Sequence, residues 1–471
     1  MNVTDNKLLF REKFAYGFGD LASVLYWQTF MLYFTYFYTD VFLLPAGAAA
    51  TMFLITRIWD GVNDPIMGII ADRTETRWGK YRPYMLWICV PFAVIGVLTF
   101  TVPNLGESGK LVWAYVTFMS IMMLYTAINI PYTALLGVIS PDSNERTSVS
   151  SYKFVFAYIA QFIVSSTLLI MVGALGGDNE ALGWHYSFMI YGVAFVIFFL
   201  VAFVGTKERV HPPKSQKTSI KSDFSELLTN KPWLILLATT MTFILFIALR
   251  NSVTVHYFKY VVGSQEITLP FAGTNIYSFS DIVSAFNSVN AIFALLGVLV
   301  ISMLARNFGK KRVFLVFFAV SIISMASYYF IPPDQLGLMF LMQMLYAVTS
   351  GPLSVLLWAM YADTADYAEW KNGRRATGLV FSASTMSQKF GWAIGAYVAL
   401  TLMSSVGFAP NETQSADSVG ALVLLFSLIP AAFGVISACL LLLYPLNDQR
   451  VAEIEGELKL RRQVSGDSAT A

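Results

Sequence analysis

Only 13% of the 471 residues are charged and 56% are hydrophobic, whereas an ordinary soluble protein carries about 25% charged residues. This excludes a set of water-facing domains, and a net charge of +2 gives no basis for nucleic-acid binding or a polybasic membrane anchor. Two cysteines inside apolar runs and three scattered histidines exclude a disulfide framework and argue against a zinc or iron–sulfur centre.

A spanning helix needs roughly 20 apolar residues. Twelve stretches qualify, near 14–38, 46–71, 84–103, 111–139, 152–174, 184–205, 233–260, 281–305, 313–331, 336–361, 377–405 and 420–444. The first follows Lys7, Arg11 and Lys13 without a small-residue cleavage site, so it reads as a retained span. Of the 31 basic residues, 25 fall in loops and tails on one side and Lys110 alone on the other, which predicts both termini in the cytoplasm. The expected organisation is a six-helix half over 1–206, a cytoplasmic loop over 207–232, a second six-helix half over 233–446 and a cytoplasmic tail over 447–471. The halves echo one another. "WGKYRPY" from Trp78 returns as "FGKKRVF" from Phe308, 230 residues later, and "NERTS" at Asn144 returns as "RRATG" at Arg374. A parallel repeat of two six-helix halves is the major facilitator architecture, with a substrate site expected at the midplane between them. In the tail, Val451, Ile454 and Leu458 recur at helical spacing, predicting an amphipathic helix on the cytoplasmic surface.

Charges inside spans are costly and so mark function. In chain order, Asp20 lies in span one with Tyr26 and Trp27 after it, a pairing of carboxylate and ring that suits sugar hydroxyls and the apolar face of a sugar. Span two holds "RIWDGVNDPIMG", which puts Arg57, Asp60 and Asp64 on one helical face with Asn63 beside them. Two carboxylates in a low-dielectric site require a proton or a cation between them. Pro65 adds an oxygen donor, because its missing N–H frees the carbonyl of Gly61. The alternative is structural, with Arg57 neutralising Asp60 and Asp64 facing a cytoplasmic salt bridge. Span four holds "YTAINIPYTALLG", in which Thr126 can complete an oxygen cage and Asn129 can bind a polyol, or both can simply tie helices together. Lys153, Arg250 and Lys389 are further intramembrane cations, whereas Lys259 lies close enough to the outer surface to snorkel.

Six motifs in order resemble the glycoside-pentoside-hexuronide cation symporters over nearly the whole chain. They are "YGFGD" at Tyr16, "RIWDGVNDPIMG" at Arg57, "DRTETRWGKYRPY" at Asp72, "NIPYTAL" at Asn129, "NERTSVSSYKFVFA" at Asn144 and "ADTADYAEWKNGRRATG" at Ala362. The resemblance implies a bacterial inner-membrane sugar symporter, a working monomer, driven by sodium or protons. Its cation would be held by Asp60, Asn63, Asp64 and Thr126, with Asp60 and Asp64 as the sodium-ligating carboxylates. The span-eleven lysine that lies near both sites in the family looks like Lys389. The chain departs from the family's melibiose branch, having Asn129 for an acid, Thr133 for a tryptophan and Lys153 for an arginine, which implies the same coupling and a different sugar, such as a xyloside or glucuronide. The expected substrate contacts are therefore Asp20, Trp27, Asn129, Thr133, Lys153, Arg250 and Lys389, and the expected cytoplasmic gate is Arg73, Arg77, Asp363, Asp366 and Arg375.

The expected mechanism is alternating access, in which the cation neutralises the Asp60/Asp64 pair and raises sugar affinity by a reciprocal linkage. No cofactor beyond the coupling cation is called for. The competing class is a lipid or lysolipid translocator on the same scaffold. A primary pump is disfavoured by the lack of a phosphate-cradling loop, and an enzyme by the lack of a nucleophile elbow or His-rich site.

Overall fold

The computed structural model of this chain describes residues 8–140, 143–209, 228–269, 273–372 and 377–467. In chain order the helices are α1 (Phe10–Tyr36), α2 (Ala46–Arg73), α3 (Arg82–Thr99), α4 (Glu107–Val138), α5 (Ser143–Gly176), α6 (Glu180–Gly205), α7 (Lys231–Tyr257) and α8 (Phe279–Phe308). They continue as α9 (Lys310–Ser327), α10 (Leu336–Ser350), α11 (Leu353–Asn372), α12 (Thr377–Ser405), α13 (Ala416–Phe426), α14 (Leu428–Leu442) and α15 (Asp448–Asp467). π-helical turns, Phe37–Val41 and Phe258–Val262, extend α1 and α7. An antiparallel hairpin, β1 (Gln265–Leu269) with β2 (Gly273–Tyr277), fills the connection from α7 to α8.

Each apolar stretch read from the sequence is helical. Two of them are broken. The tenth divides into α10 and α11 at Gly351-Pro352, and the twelfth into α13 and α14 at Ser427, three residues before Pro430, as a proline's missing N–H and ring clash dictate. Among the described residues, eight segments are long and apolar enough to cross a membrane. The helices that fall short include α1, α2 and α12, which carry Asp20, the Arg57/Asp60/Asp64 group and Lys389, so the candidate functional charges themselves lower the hydropathy.

The chain forms two compact units. The first comprises Met1–Ser215, Asn251–Ala291 and Ala396–Leu422. Within it α1 packs along α5 and α6, and α3 along α4 and α6. A reciprocal clasp fixes α1 on α4: the Tyr16 hydroxyl donates to the Tyr132 carbonyl at 3.2 Å, the Tyr132 hydroxyl to the Tyr16 carbonyl at 2.8 Å, and the two rings stack at 4.7 Å. The glycine before Asp20 makes this possible, because a Cβ on Gly19 would lie 2.4 Å from the Tyr132 ring.

At the other end of this packing, Gly79 adopts a left-handed φ of +108° and turns the chain into α3. The Glu208 carboxylate then accepts from the N–H groups of Lys80, Tyr81 and Arg82 at 2.9, 2.8 and 3.0 Å, an anion seated on the positive end of a helix. Beside it Arg209 donates to both Glu12 oxygens at 2.6 and 2.9 Å, and that hydrogen bonding raises the guanidinium pKa above its ordinary value. Glu208→Ala leaves three donors at the start of α3 without their acceptor and is expected to cost about 2 kcal/mol, read as a fall of several degrees in the temperature at which the detergent-extracted protein loses its monodisperse peak.

The second unit comprises Gln216–Arg250, Ile292–Gly395 and Val423–Ala471, with a core built on Phe243, Phe246, Phe314, Phe318, Leu357 and Tyr361. It repeats the device of the first. Gly309 has φ of +90° and begins α9, and Asp448 accepts from the Lys310 N–H at 3.2 Å. The acid follows α14, the last apolar helix of the second half of the sequence, as Glu208 follows α6, the last of the first half. The tail helix α15 buries Val451, Ile454 and Leu458 in the core of this unit, so its apolar stripe rests on protein. Trp370 of α11 donates to Glu457 at 2.6 Å and lies under the Arg450 guanidinium.

Candidate cation and sugar site

Spacings of three and four residues on α2 carry Arg57, Asp60 and Asp64 to one side of the helix. There the Thr126 hydroxyl of α4 meets both acids, 3.0 Å from Asp60 Oδ1 and 3.0 Å from Asp64 Oδ1. Asp60 is buried, Asp64 half-buried, and Arg57 Nη1 lies 3.7 Å from Asp60 Oδ2. The guanidinium, 1% exposed, is held between two rings, Trp27 of α1 and Phe53 of α2, each centroid 4.9 Å away. Arg57, Asp60 and Asp64 carry a formal charge of −1 together, which one monovalent cation balances. Asn63 is half-buried on α2 and is not drawn into this group.

Next to the acids is an aromatic platform. Trp27 stacks on Tyr125 with centroids 5.5 Å apart and planes 25° from parallel, and Tyr125 is the residue before Thr126, so one ring of the platform and the hydroxyl that meets both acids share α4. Asn129 turns its amide back to the Tyr125 carbonyl at 3.2 Å, and Thr133, one turn on, is exposed. Asp20 and Lys153, from α1 and α5, face each other at 3.8 Å, Asp20 being buried.

The second unit holds the other two intramembrane cations. Arg250 donates to Gln343 at 2.7 Å and is ringed by Tyr328, Tyr346 and Phe426, with centroids 4.5 to 4.8 Å from the guanidinium carbon. Lys389 is half-buried on α12. Of the expected gate residues, Arg73 and Arg77 are exposed, Asp363 is buried and ion-paired with Lys310, and Asp366 is half-buried. Arg375 lies outside the described residues, as does Arg374 of the repeated loop.

Sequence reasoning did not single out Phe53, Tyr125, Gln343 or Asp40. Tyr125 had a signal in its place directly before Thr126. Asp40 had one in Lys259, an opposite charge near the end of another span; the two pair at 2.9 Å, so Lys259 does not simply reach for water.

The bundle, with one buried and one half-buried acid on α2 and stacked aromatics beside them, is that of a multi-pass membrane transporter, as its relatives show. Its fold matches that of a bacterial homolog to the human lysosomal transporter Spinster in an inward-facing, occupied conformation, with a TM-score of 0.66 and 14% identity over 92% of this chain and 95% of that one. The model of the MFS/sugar transport protein family matches residues 15–448, and the chain belongs to that family as a sugar transporter of the glycoside-pentoside-hexuronide type. It is 33% identical to the putative glycoside/cation symporter YagG of Escherichia coli, over 99% of both chains. It is also 34% identical to the isoprimeverose transporter of Lactiplantibacillus pentosus, over 94% of this chain and 90% of that one.

Proposed function

We propose that this protein imports a glycoside of the xyloside or isoprimeverose kind together with a monovalent cation, by alternating access across twelve spans with both termini in the cytoplasm. The observation that carries the coupling is the meeting of Asp60 and Asp64 on one Thr126 hydroxyl. A hydroxyl has one proton and can donate to only one of the two carboxylates at a time, so the second 3.0 Å approach is favourable where a cation or a carboxyl proton is shared. A set of hard oxygen donors with one net negative charge suits sodium, whereas a proton would need only one of these acids. The sugar lies on the Trp27/Tyr125 platform within reach of Asp20 and Lys153, next to the cation. Cation binding removes the repulsion between the acids, orders α2 against α4 and so steadies Tyr125 for the sugar. By linkage, the sugar tightens the cation by the same factor. A lysolipid tail would gain nothing from a buried carboxylate–ammonium pair.

Labelled isoprimeverose, xylosides and glucuronides are to be offered to membrane vesicles under a sodium gradient and a proton gradient separately. Accumulation above equilibrium under the sodium gradient is the expected result. Accumulation under the proton gradient alone would replace the ion, and none with any sugar under either gradient would overturn the symport reading in favour of lipid movement.

A further inference from the structure

The far end of α1 carries a second charged cluster that the coupling site does not use. Here both π turns occur, one after α1 and one after α7, and such turns are rare and concentrate at functional positions. The Asp40 side chain is fully buried. Its Oδ1 accepts from Lys259 Nζ at 2.9 Å and from the Tyr260 hydroxyl, and its Oδ2 lies 3.1 Å from His256 Nε2 and 2.7 Å from the Thr39 hydroxyl. Asn411, held at a φ of +60° in the segment after α12, closes the group. Its amide donates to the Asp40 carbonyl at 2.7 Å, its Oδ1 accepts from Lys259 at 2.6 Å, and its N–H donates to the Tyr260 hydroxyl at 2.8 Å. From α6, Glu180 accepts from the Tyr36 hydroxyl at 3.0 Å, and the Tyr36 ring lies 4.9 Å from the Lys259 ammonium. One layer deeper the Thr35 hydroxyl donates to the Ser252 carbonyl.

Segments far apart in sequence thus converge on one carboxylate. A buried ion pair is a poor source of stability, because each charge gives up its hydration, but for the same reason it can part at little net cost when water reaches both charges. An apolar contact of equal size would expose oily surface on opening. The group is therefore built to be specific when shut and reversible when wet, and it joins the first helix of one repeat to the first helix of the other.

We propose that the Asp40–Lys259 knot is the outer gate of the transport cycle. It is shut in this structure, and it parts when the ends of α7 and the Asn411 segment leave α1 to admit sugar. The proposal rests on the reading of this chain as a symporter with cytoplasmic termini, which puts the Asp40 end outside.

The reporter is Asn287→Cys, buried on α8 beneath the knot, where its amide reaches the Tyr33 hydroxyl, in a chain whose Cys89 and Cys439 are replaced by alanine. Its rate of reaction with a membrane-impermeant maleimide is followed in whole cells. Asp40→Asn, which leaves the Lys259 charge without its counter-ion, is expected to raise that rate by roughly tenfold or more, as a shift of population toward the open form requires. Asn411→Ala keeps every charge and removes the clamp on the segment, so a smaller rise in the same direction is expected; it serves also if Asp40→Asn fails to reach the membrane. Unchanged labelling in Asn411→Ala, and in Asp40→Asn where it is present at wild-type amount, would overturn the gate. Labelling found only in inside-out vesicles would overturn it as well. The readout needs no transported sugar, so a chain that labels as expected but accumulates no glycoside would sink the symport reading and leave the gate standing.

Discussion

Asp60→Asn is expected to abolish uphill accumulation of glycoside, a loss of roughly 100-fold or more in cation-stimulated uptake, and to reduce the amount of folded protein as well. The second effect separates two roles that one carboxylate plays. Asp60 is the proposed cation ligand with Asp64, and it is also the ion-pair partner of Arg57, whose guanidinium is buried between Trp27 and Phe53. Removing one member of a buried pair leaves the other uncompensated, at about 3–5 kcal/mol. Arg57→Met in the Asp60→Asn background removes that stranded charge and keeps a side chain of similar reach between the two rings, so protein level should return while accumulation does not. Asp64→Asn should lose accumulation at near-normal protein level, because Asp64 is not the carboxylate paired with Arg57. Gradient-driven uptake and an immunoblot of the membrane fraction decide the matter. Uphill uptake that survives in both single variants would refute the assignment of these acids to the cation.

The reason these acids could be found without a structure is that a charge in a span is rare and costly, so its presence is itself a signal. The same cost makes apolar stretches legible, and every helix that carries the site lies where the hydropathy puts it. The repeat was legible too. "WGKYRPY" and "FGKKRVF" each turn out to be a left-handed glycine followed by a helix whose N-terminal N–H is met by an acid that follows the last apolar helix of its half of the sequence, Glu208 or Asp448. Azimuth was less legible than depth. The depth of Arg250 follows from its position along α7, but an apolar helix shows no preferred face, and only packing reveals Tyr328, Tyr346, Phe426 and Gln343 around it. Phe53 was hidden by abundance, since 15% of the chain is aromatic. Asp40 was hidden by cheapness. An acid at the end of a span needs no special account, and what makes this one special is a lysine 219 residues away and an asparagine 371 away.

Gly183→Val is expected to leave almost no folded transporter in the membrane, while Gly173→Ala on the neighbouring helix is expected to be neutral or slightly stabilising. A Cβ on Gly183 of α6 would lie 2.1 Å from the carbonyl oxygen of Val172 on α5 and 2.9 Å from its carbonyl carbon. Side-chain clashes can be relieved by a rotamer change, but a helical carbonyl is tied into its own ladder, so α5 and α6 must separate. Between membrane helices that close approach is the main source of association, because lipid is as apolar as the side chains it would replace. The cost should reach about 3 kcal/mol or more, since an added branch meets backbone on one side only and cannot share the strain. At Gly173 nothing lies within 4 Å of the added methyl, and the gain in helix propensity, up to about 1 kcal/mol, is all that remains. Gly297 on α8 is the counterpart in the second unit, with the Val348 carbonyl oxygen 2.1 Å from its Cβ position, and Gly297→Val should fail in the same way. The amount of monodisperse protein extracted from equal membrane, measured by size exclusion, tests all three. For function the milder Gly183→Ala is the informative change. Because α5 carries Lys153 and α6 carries Glu180, a small parting of the two helices should weaken glycoside uptake before it removes the protein.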